Sequence, residues 1–163
     1  MTSSHSLTRR GMISSTAAFG GLTLLGLSGA GVAALQNGKK AAPKITMYRD
    51  PSCGCCSKWA DAARAAGFDV TVSETSDIMA VKAKLGVPDE LMSCHTSVAG
   101  GYVVEGHVPL DAVKKLLSQK PKIRGIAVAG MPLGSPGMEV PGRAAQPFDV
   151  IAFDAAGNTR KFA

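Results

Sequence analysis

Apolar and polar residues alternate over residues 44–48, and this period of two predicts a β-strand. Asp50-Pro51-Ser52 then ends the strand and offers polar side chains for the start of a helix. From Cys56 onward, apolar residues recur at helical spacing until Gly67 stops the pattern. Residues 68–72 indicate a second strand. This order predicts a β-α-β unit whose two strands are parallel.

The rest of the domain continues the alternation of helices and strands. Its predicted elements are a helix over residues 76–85, a strand over 96–105 with Gly100 and Gly101 as a bulge or turn within it, a helix that begins after Pro109, and a terminal hairpin built from residues 148–153 and 159–162. The order predicts an α/β sandwich in which helices cover a sheet.

The composition restricts the class of protein. The chain has 163 residues, of which 45% are hydrophobic and 5% aromatic, and its formal net charge is +6. The apolar fraction excludes an intrinsically disordered chain. Proteins that bind single-stranded nucleic acid usually stack the bases on several aromatic rings. The few aromatic residues and the modest, dispersed positive charge therefore argue against a nucleic-acid partner.

Residues 1–34 have the features of an export signal. The pair Arg9-Arg10 precedes an apolar, glycine-containing run over residues 17–27, and small residues follow that run. The paired arginines indicate the twin-arginine type, with cleavage after Ala33 or Ala34. The alternative is an uncleaved signal, which would be the protein's contact with the membrane.

The remaining chain divides into a linker and one domain. Residues 35–43 are polar and end in proline, which is typical of a linker. Residues 44–163 are long enough to form one hydrophobic core. Because the signal directs export, we expect this domain to be periplasmic.

Four cysteines form the main candidate site. Cys53, Cys55 and Cys56 lie together at the predicted strand-to-helix turn, and Cys94 precedes the third predicted strand. The start of a helix favours a thiolate, so at least one thiol of the first group should have a lowered pKa. Thiolates act both as nucleophiles and as ligands of soft metals. The cysteines therefore support both redox exchange and metal binding.

In the exchange hypothesis, Cys53 attacks a partner disulfide and Cys56 resolves the intermediate. In the metal hypothesis, adjacent cysteines suit several metal ions bridged by shared thiolates, for which Cu(I) is the softest common candidate. Zinc is the alternative metal, although it is usually held by a tetrahedron of spaced cysteine pairs. A third interpretation, two stabilising disulfides, would suit an oxidising compartment.

Two methionines and two histidines are further candidate ligands. Residues 130–142 contain four glycines and three prolines, which predicts a shaped loop. Met131 and Met138 in this loop offer thioethers that suit Cu(I), unless each fills a gap in the core. His95 and His107 could ligate a metal, although a lone histidine is more often a hydrogen-bonded structural residue.

Four sequence motifs occur in a specific order. They are Asp50-Pro51-Ser52-Cys53-Gly54-Cys55-Cys56-Ser57-Lys58-Trp59, Cys94-His95-Thr96, Gly101-Tyr102-Val103-Val104-Glu105-Gly106-His107-Val108-Pro109 and Gly130-Met131-Pro132-Leu133-Gly134-Ser135-Pro136-Gly137-Met138-Glu139. Together they resemble the CopG-like family, which was long catalogued as a domain of unknown function. The resemblance spans nearly all of residues 44–163.

The resemblance implies a thioredoxin-like three-layer sandwich with an added C-terminal β-hairpin. It also implies a periplasmic role in copper resistance and a proposed oxidoreductase activity. Carried over by motif, Cys53, Cys55, Cys56 and Cys94 would bridge a cluster of Cu(I) ions. The expected partners are copper ions and other periplasmic copper-handling proteins. Thioredoxin-like folds usually have a proline beside the helix-start thiols, whereas this sequence has Cys94-His95-Thr96 there.

Overall fold

The computed structural model describes residues 41–163. The predicted export signal over residues 1–34 and the first part of the linker lie outside these residues. The strands are β1 Lys44–Arg49, β2 Asp69–Glu74, β3 His95–Ala99, β4 Tyr102–Glu105, β5 Gly125–Ala127, β6 Ile151–Phe153 and β7 Thr159–Lys161.

Three α-helices accompany these strands in the described part of the chain. They are α1 Gly54–Ala65, α2 Ile78–Leu85 and α3 Leu110–Gln119, and a short 3-10 helix covers Asp89–Leu91. None of the helices in residues 41–163 has the length and the apolar character needed to span a membrane.

The strands form one mixed sheet in the order β2-β1-β3-β4-β5-β6-β7. β1 and β2 are parallel, which confirms the predicted β-α-β unit, and β4 and β5 are also parallel. The other neighbouring strands are antiparallel. The α/β class is therefore confirmed as a seven-stranded mixed sheet with three helices.

The structure differs from the predicted elements in the middle of the chain. Residues 96–105 belong to two antiparallel strands, β3 and β4, with Ala99 opposite Tyr102. Gly100 and Gly101 have φ values of 56° and 87°, which suit a two-residue hairpin turn. β5 was not predicted, because it spans only three residues and, unlike the equally short β6 and β7, it does not adjoin a hairpin turn.

Successive strand residues point to opposite faces of the sheet, and each face packs against different elements. One core cluster joins Met47 and Val104 to buried residues of α1 and α3. The other joins Val103 and Phe153 to Leu91 of the 3-10 helix. Both faces of the sheet are therefore covered.

The topology brings two distant segments to one end of the sheet. β1 and β3 run in opposite directions, and Arg49 at the end of β1 pairs with His95 at the start of β3. The residues that follow β1 therefore meet those that precede β3. The first group contains three cysteines and the second contains Cys94.

Candidate metal centre

The first three cysteines lie at the start of α1. The helix begins at Gly54, two residues before the Cys56 start that the apolar pattern indicates, so Cys53 is its N-cap residue. Cys53 makes no side-chain capping bond. The Cys53 backbone N–H donates to the Asp50 carbonyl at 3.1 Å, and the Arg49 guanidinium donates to the Cys53 carbonyl at 2.9 Å. Backbone and arginine contacts thus hold the turn, and the Cys53 side chain takes no part in capping the helix.

Cys94 completes a compact group of sulfurs. Its Sγ lies 3.5 Å from Cys56 Sγ and 3.7 Å from Cys55 Sγ, and Cys53 Sγ lies 3.5 Å from Cys55 Sγ. All four sulfurs lie within 4.8 Å of one another. The structure therefore brings together all four cysteines that the sequence analysis singled out.

Two of the sulfurs are already bonded to each other. Cys53 and Cys56 form a disulfide, whereas Cys55 and Cys94 are free thiols. The disulfide joins the two residues that the exchange hypothesis names as attacker and resolver. It also means that a site with four thiolates requires prior reduction of this bond.

The two histidines approach Cys94 from the interior. His107 Nε2 lies 3.0 Å from Cys94 Sγ, and His95 Nδ1 lies 3.4 Å from it. His107 Nδ1 lies 2.8 Å from the Pro136 carbonyl. Because a carbonyl only accepts, the proton of a neutral His107 ring belongs on Nδ1, and its Nε2 lone pair faces the sulfur. Histidines that ligate metals commonly have their other ring nitrogen held in this way.

The electrostatics of the site favour neutral groups in the metal-free state. Burial, together with the neighbouring Cys55, raises the pKa of the Cys94 thiol to about 12. Burial lowers the pKa of His95 to about 3, with smaller contributions from His107 and Lys82. Burial also lowers the pKa of His107. Both imidazoles are therefore neutral at neutral pH. The lowered thiol pKa expected at the start of α1 stays a prediction.

The loop over residues 130–142 covers the start of α1, and it is neither helix nor strand, as predicted. At Gly137, φ is +85°, and an added Cβ would lie 2.8 Å from the Trp59 nitrogen and 3.0 Å from the Cys55 carbonyl. Only glycine fits this contact. Met131 is 51% exposed, which rules out a core-filling role, and Met138 is half-buried. Ligation of copper by either methionine stays a prediction.

Trp59 lies beside the site, although the sequence analysis treated it only as part of the first motif and gave it no role there. Its ring lies 5.0 Å from the His95 ring between centroids, and its Nε1 donates to the Val108 carbonyl at 3.0 Å. Trp59 therefore packs against the His95 ring. The sequence does carry a signal for it, because Trp59 is the only tryptophan and lies four residues after Cys55, on the same helical face.

The chain is similar to known proteins over this region. Residues 91–138, which include Cys94, His95, His107 and both loop methionines, match a family described as a protein of unknown function, DUF411. No curated protein sequence matches the chain significantly.

Two solved structures are also similar. Form 2 of a copper resistance protein CopG is 42% identical, with a TM-score of 0.71 over 75% of this chain and 97% of the other. Form 1 is 42% identical, with a TM-score of 0.69 over 74% of this chain and 94% of the other. Identity at this level over nearly the whole of the other chain shows common descent. The chain therefore belongs to the CopG-like copper-resistance family.

Proposed function

We propose that the chain binds Cu(I) in the periplasm through its four cysteine thiolates and thereby contributes to copper resistance. It would sequester the metal or pass it to other copper-handling proteins. The observation that carries the proposal is the convergence of the four sulfurs within 4.8 Å of one another. The sulfurs come from two segments that are far apart in sequence, so the fold itself assembles the donor set. The similarity to CopG structures supports the choice of copper.

The chemistry of the donor set fits copper in two ways. Reduction of the Cys53–Cys56 disulfide by two electrons and two protons yields two more thiols, and deprotonation of all four gives soft ligands that suit Cu(I). His95 and His107 add neutral nitrogen donors beside Cys94, and such donors suit Cu(II). A change in the oxidation state of copper at this site is therefore part of the hypothesis.

We also propose a thioredoxin-like three-layer sandwich with an added C-terminal hairpin. The β1-α1-β2 unit, the cysteines at the start of α1 and the cover on both faces of the sheet support it. The antiparallel pairing of β6 with β7 supports the hairpin.

Thiol–disulfide exchange is the second candidate function. The observation in its favour is the Cys53–Cys56 disulfide, in which Cys53 is half-buried and Cys56 is buried. A partner thiolate could reach the Cys53 sulfur, whereas the Cys56 sulfur is protected, as a resolving thiol requires. In this function, Cys55 and Cys94 would not take part.

Changing Cys55 to serine tests the copper proposal without removing the exchange pair. We expect the reduced Cys55→Ser protein to bind less copper than the parent, because a bridging thiolate is lost. The Cys53–Cys56 disulfide should still form on oxidation. Copper per chain, measured after anaerobic loading, checks the prediction. Ser57→Ala, in the same helical turn, serves as the control and should bind as the parent does. Full copper stoichiometry in Cys55→Ser would count against a cluster.

The periplasmic location is proposed from the export signal, with the twin-arginine type indicated by Arg9-Arg10. Replacing both arginines with lysine should leave the precursor in the cytoplasm. Fractionation of cells and immunoblotting check this result, and Arg160→Lys on the exposed strand β7 controls for expression. A normal periplasmic yield from the double variant would instead assign the signal to the general secretory type.

A further inference from the structure

A buried charged pair lies on the face of the sheet that is opposite the sulfurs. Lys82 of α2 and Glu105 of β4 have side chains that are 2% and 0% exposed, and their Nζ and Oε1 atoms lie 2.5 Å apart. Of the ion pairs in residues 41–163, this is the one with both members buried. A buried ion pair is weak evidence for stability, since apolar residues of similar volume often serve as well. The pair therefore calls for another explanation.

The hydrogen bonds of Glu105 lead directly to the segment that carries Cys94. Oε1 accepts from the backbone N–H of Ser93 at 2.7 Å as well as from Lys82. Oε2 accepts from the Thr96 hydroxyl at 2.6 Å, and that hydroxyl accepts from Lys82 at 2.9 Å. Lys82 and Thr96 thus orient the carboxylate, and the carboxylate holds the peptide N–H one residue before Cys94.

Other contacts leave Ser93 little freedom. The Ser93 hydroxyl donates to the Gly130 carbonyl, which connects Ser93 to the loop over residues 130–142. At Gly106, φ is +72°, and an added Cβ would lie 2.5 Å from the Ser93 Cβ. Ser93 therefore packs against a position that only glycine can occupy. The packing of Ser93 against Gly106 and its hydrogen bond to the Glu105 carboxylate together set the direction of the chain into Cys94.

We propose that the Lys82–Glu105 pair is a positioning device for Cys94, which fixes its sulfur opposite the sulfurs of α1 by holding the Ser93 amide. The importance of this device for copper rests on the proposed function. The effect of the pair on the reactivity of the Cys94 thiol does not rest on the proposed function, because that reactivity is measured in the metal-free protein. Glu105 and Lys82 act through Ser93 and are positioning residues rather than ligands.

The test compares two ways of changing the network. In the triple variant Lys82→Met, Thr96→Val and Glu105→Leu, apolar residues replace all three side chains, so the core can remain packed while the Ser93 N–H loses its acceptor. In Glu105→Gln, the amide oxygen can still accept from Ser93, although the ion pair is lost. Asp149→Asn, which breaks an exposed ion pair with Lys161, is the matched control. Thermal unfolding of each variant establishes that it folds.

The first measurement is the alkylation rate of Cys94 by iodoacetamide in the reduced, metal-free protein, with Cys55 as the internal reference. In the triple variant we expect Cys94 to react about tenfold faster, the effect of losing one hydrogen bond to a charged group, while Cys55 reacts as in the parent. Glu105→Gln, which keeps an acceptor for Ser93 but loses the ion pair, should give an intermediate rate, and Asp149→Asn should keep the parental rates. Unchanged Cys94 reactivity in the triple variant, or equal acceleration of both thiols, would overturn the positioning role.

The second measurement separates this inference from the proposed function. Copper per chain, determined after anaerobic loading with Cu(I), should fall in the triple variant and remain unchanged in Asp149→Asn. If Cys94 reacts faster but the parent protein binds no Cu(I), the positioning role stands and the copper function fails. If the triple variant binds copper as the parent does and Cys94 is no more reactive, the positioning role fails while the copper function stands.

Discussion

Changing Cys94 to serine should lower the copper content of the reduced protein by about half or more, because bridging of several ions needs thiolates on both sides of the site. Cys94 is the one sulfur that the second segment supplies, and it contacts Cys55 and Cys56. Its loss leaves three thiolates on a single turn with an open side. Copper tolerance of cells that depend on this protein should fall in parallel.

The same variant separates the two candidate functions. Exchange requires only Cys53 and Cys56, so any disulfide-reductase activity of Cys94→Ser should remain nearly unchanged. Cys53→Ser is the matched contrast, because Cys53 belongs both to the four proposed copper ligands and to the exchange pair. This variant should reduce copper binding and reductase activity together. A Cys94→Ser protein that keeps its copper and loses reductase activity would contradict the metal site and favour exchange.

Changing Gly137 to alanine should destabilise the domain by about 3 kcal/mol, which corresponds to a fall in Tm of roughly 10 °C. Part of this cost arises because φ is +85°, and the rest arises because the new Cβ would lie 2.8 Å from the Trp59 nitrogen. The loop must move away from α1 to relieve the contact. Since the Pro136 carbonyl holds His107, the variant should also bind copper less tightly.

Gly142 provides the control for this prediction. Its φ is +75°, similar to that of Gly137, but nothing lies within 4 Å of an added Cβ. Gly142→Ala should therefore cost about 1 kcal/mol, the conformational part alone, and should bind copper normally. Thermal unfolding and competition with a Cu(I) chelator measure the two effects. Equal destabilisation by the two variants would show that the packing of Gly137 on α1 contributes nothing.

The order of elements in the fold could largely be predicted from sequence because apolar periodicity is a local property. The β1-α1-β2 unit follows from it directly. The hairpin of β3 and β4 was predicted as one strand, although Gly100-Gly101 between two apolar runs is the usual sequence of a two-residue turn. β5 could not be predicted, since its three residues adjoin no hairpin turn and its place in the sheet depends on pairing with the distant strands β4 and β6.

The candidate site shows the same division between local and distant information. The spacing of the cysteines identified the thiol group, because three of them are neighbours in sequence. The role of His107 was harder to assess, since its tautomer depends on the Pro136 carbonyl, 29 residues away. Lys82 gave no sequence signal at all. A lysine in a short helix is expected in solvent, and its contacts with Glu105 of β4 and Thr96 of β3 explain its burial.

The metal content of the reduced protein, purified without oxygen, tests the central claim most directly. Elemental analysis gives the identity and number of ions per chain, and X-ray absorption at the metal edge gives the oxidation state and the ligand atoms. The proposed function predicts several copper ions per chain, present as Cu(I) and coordinated mainly by sulfur. One zinc ion in a tetrahedron of four sulfurs, or a reduced protein that takes up no metal, would contradict it.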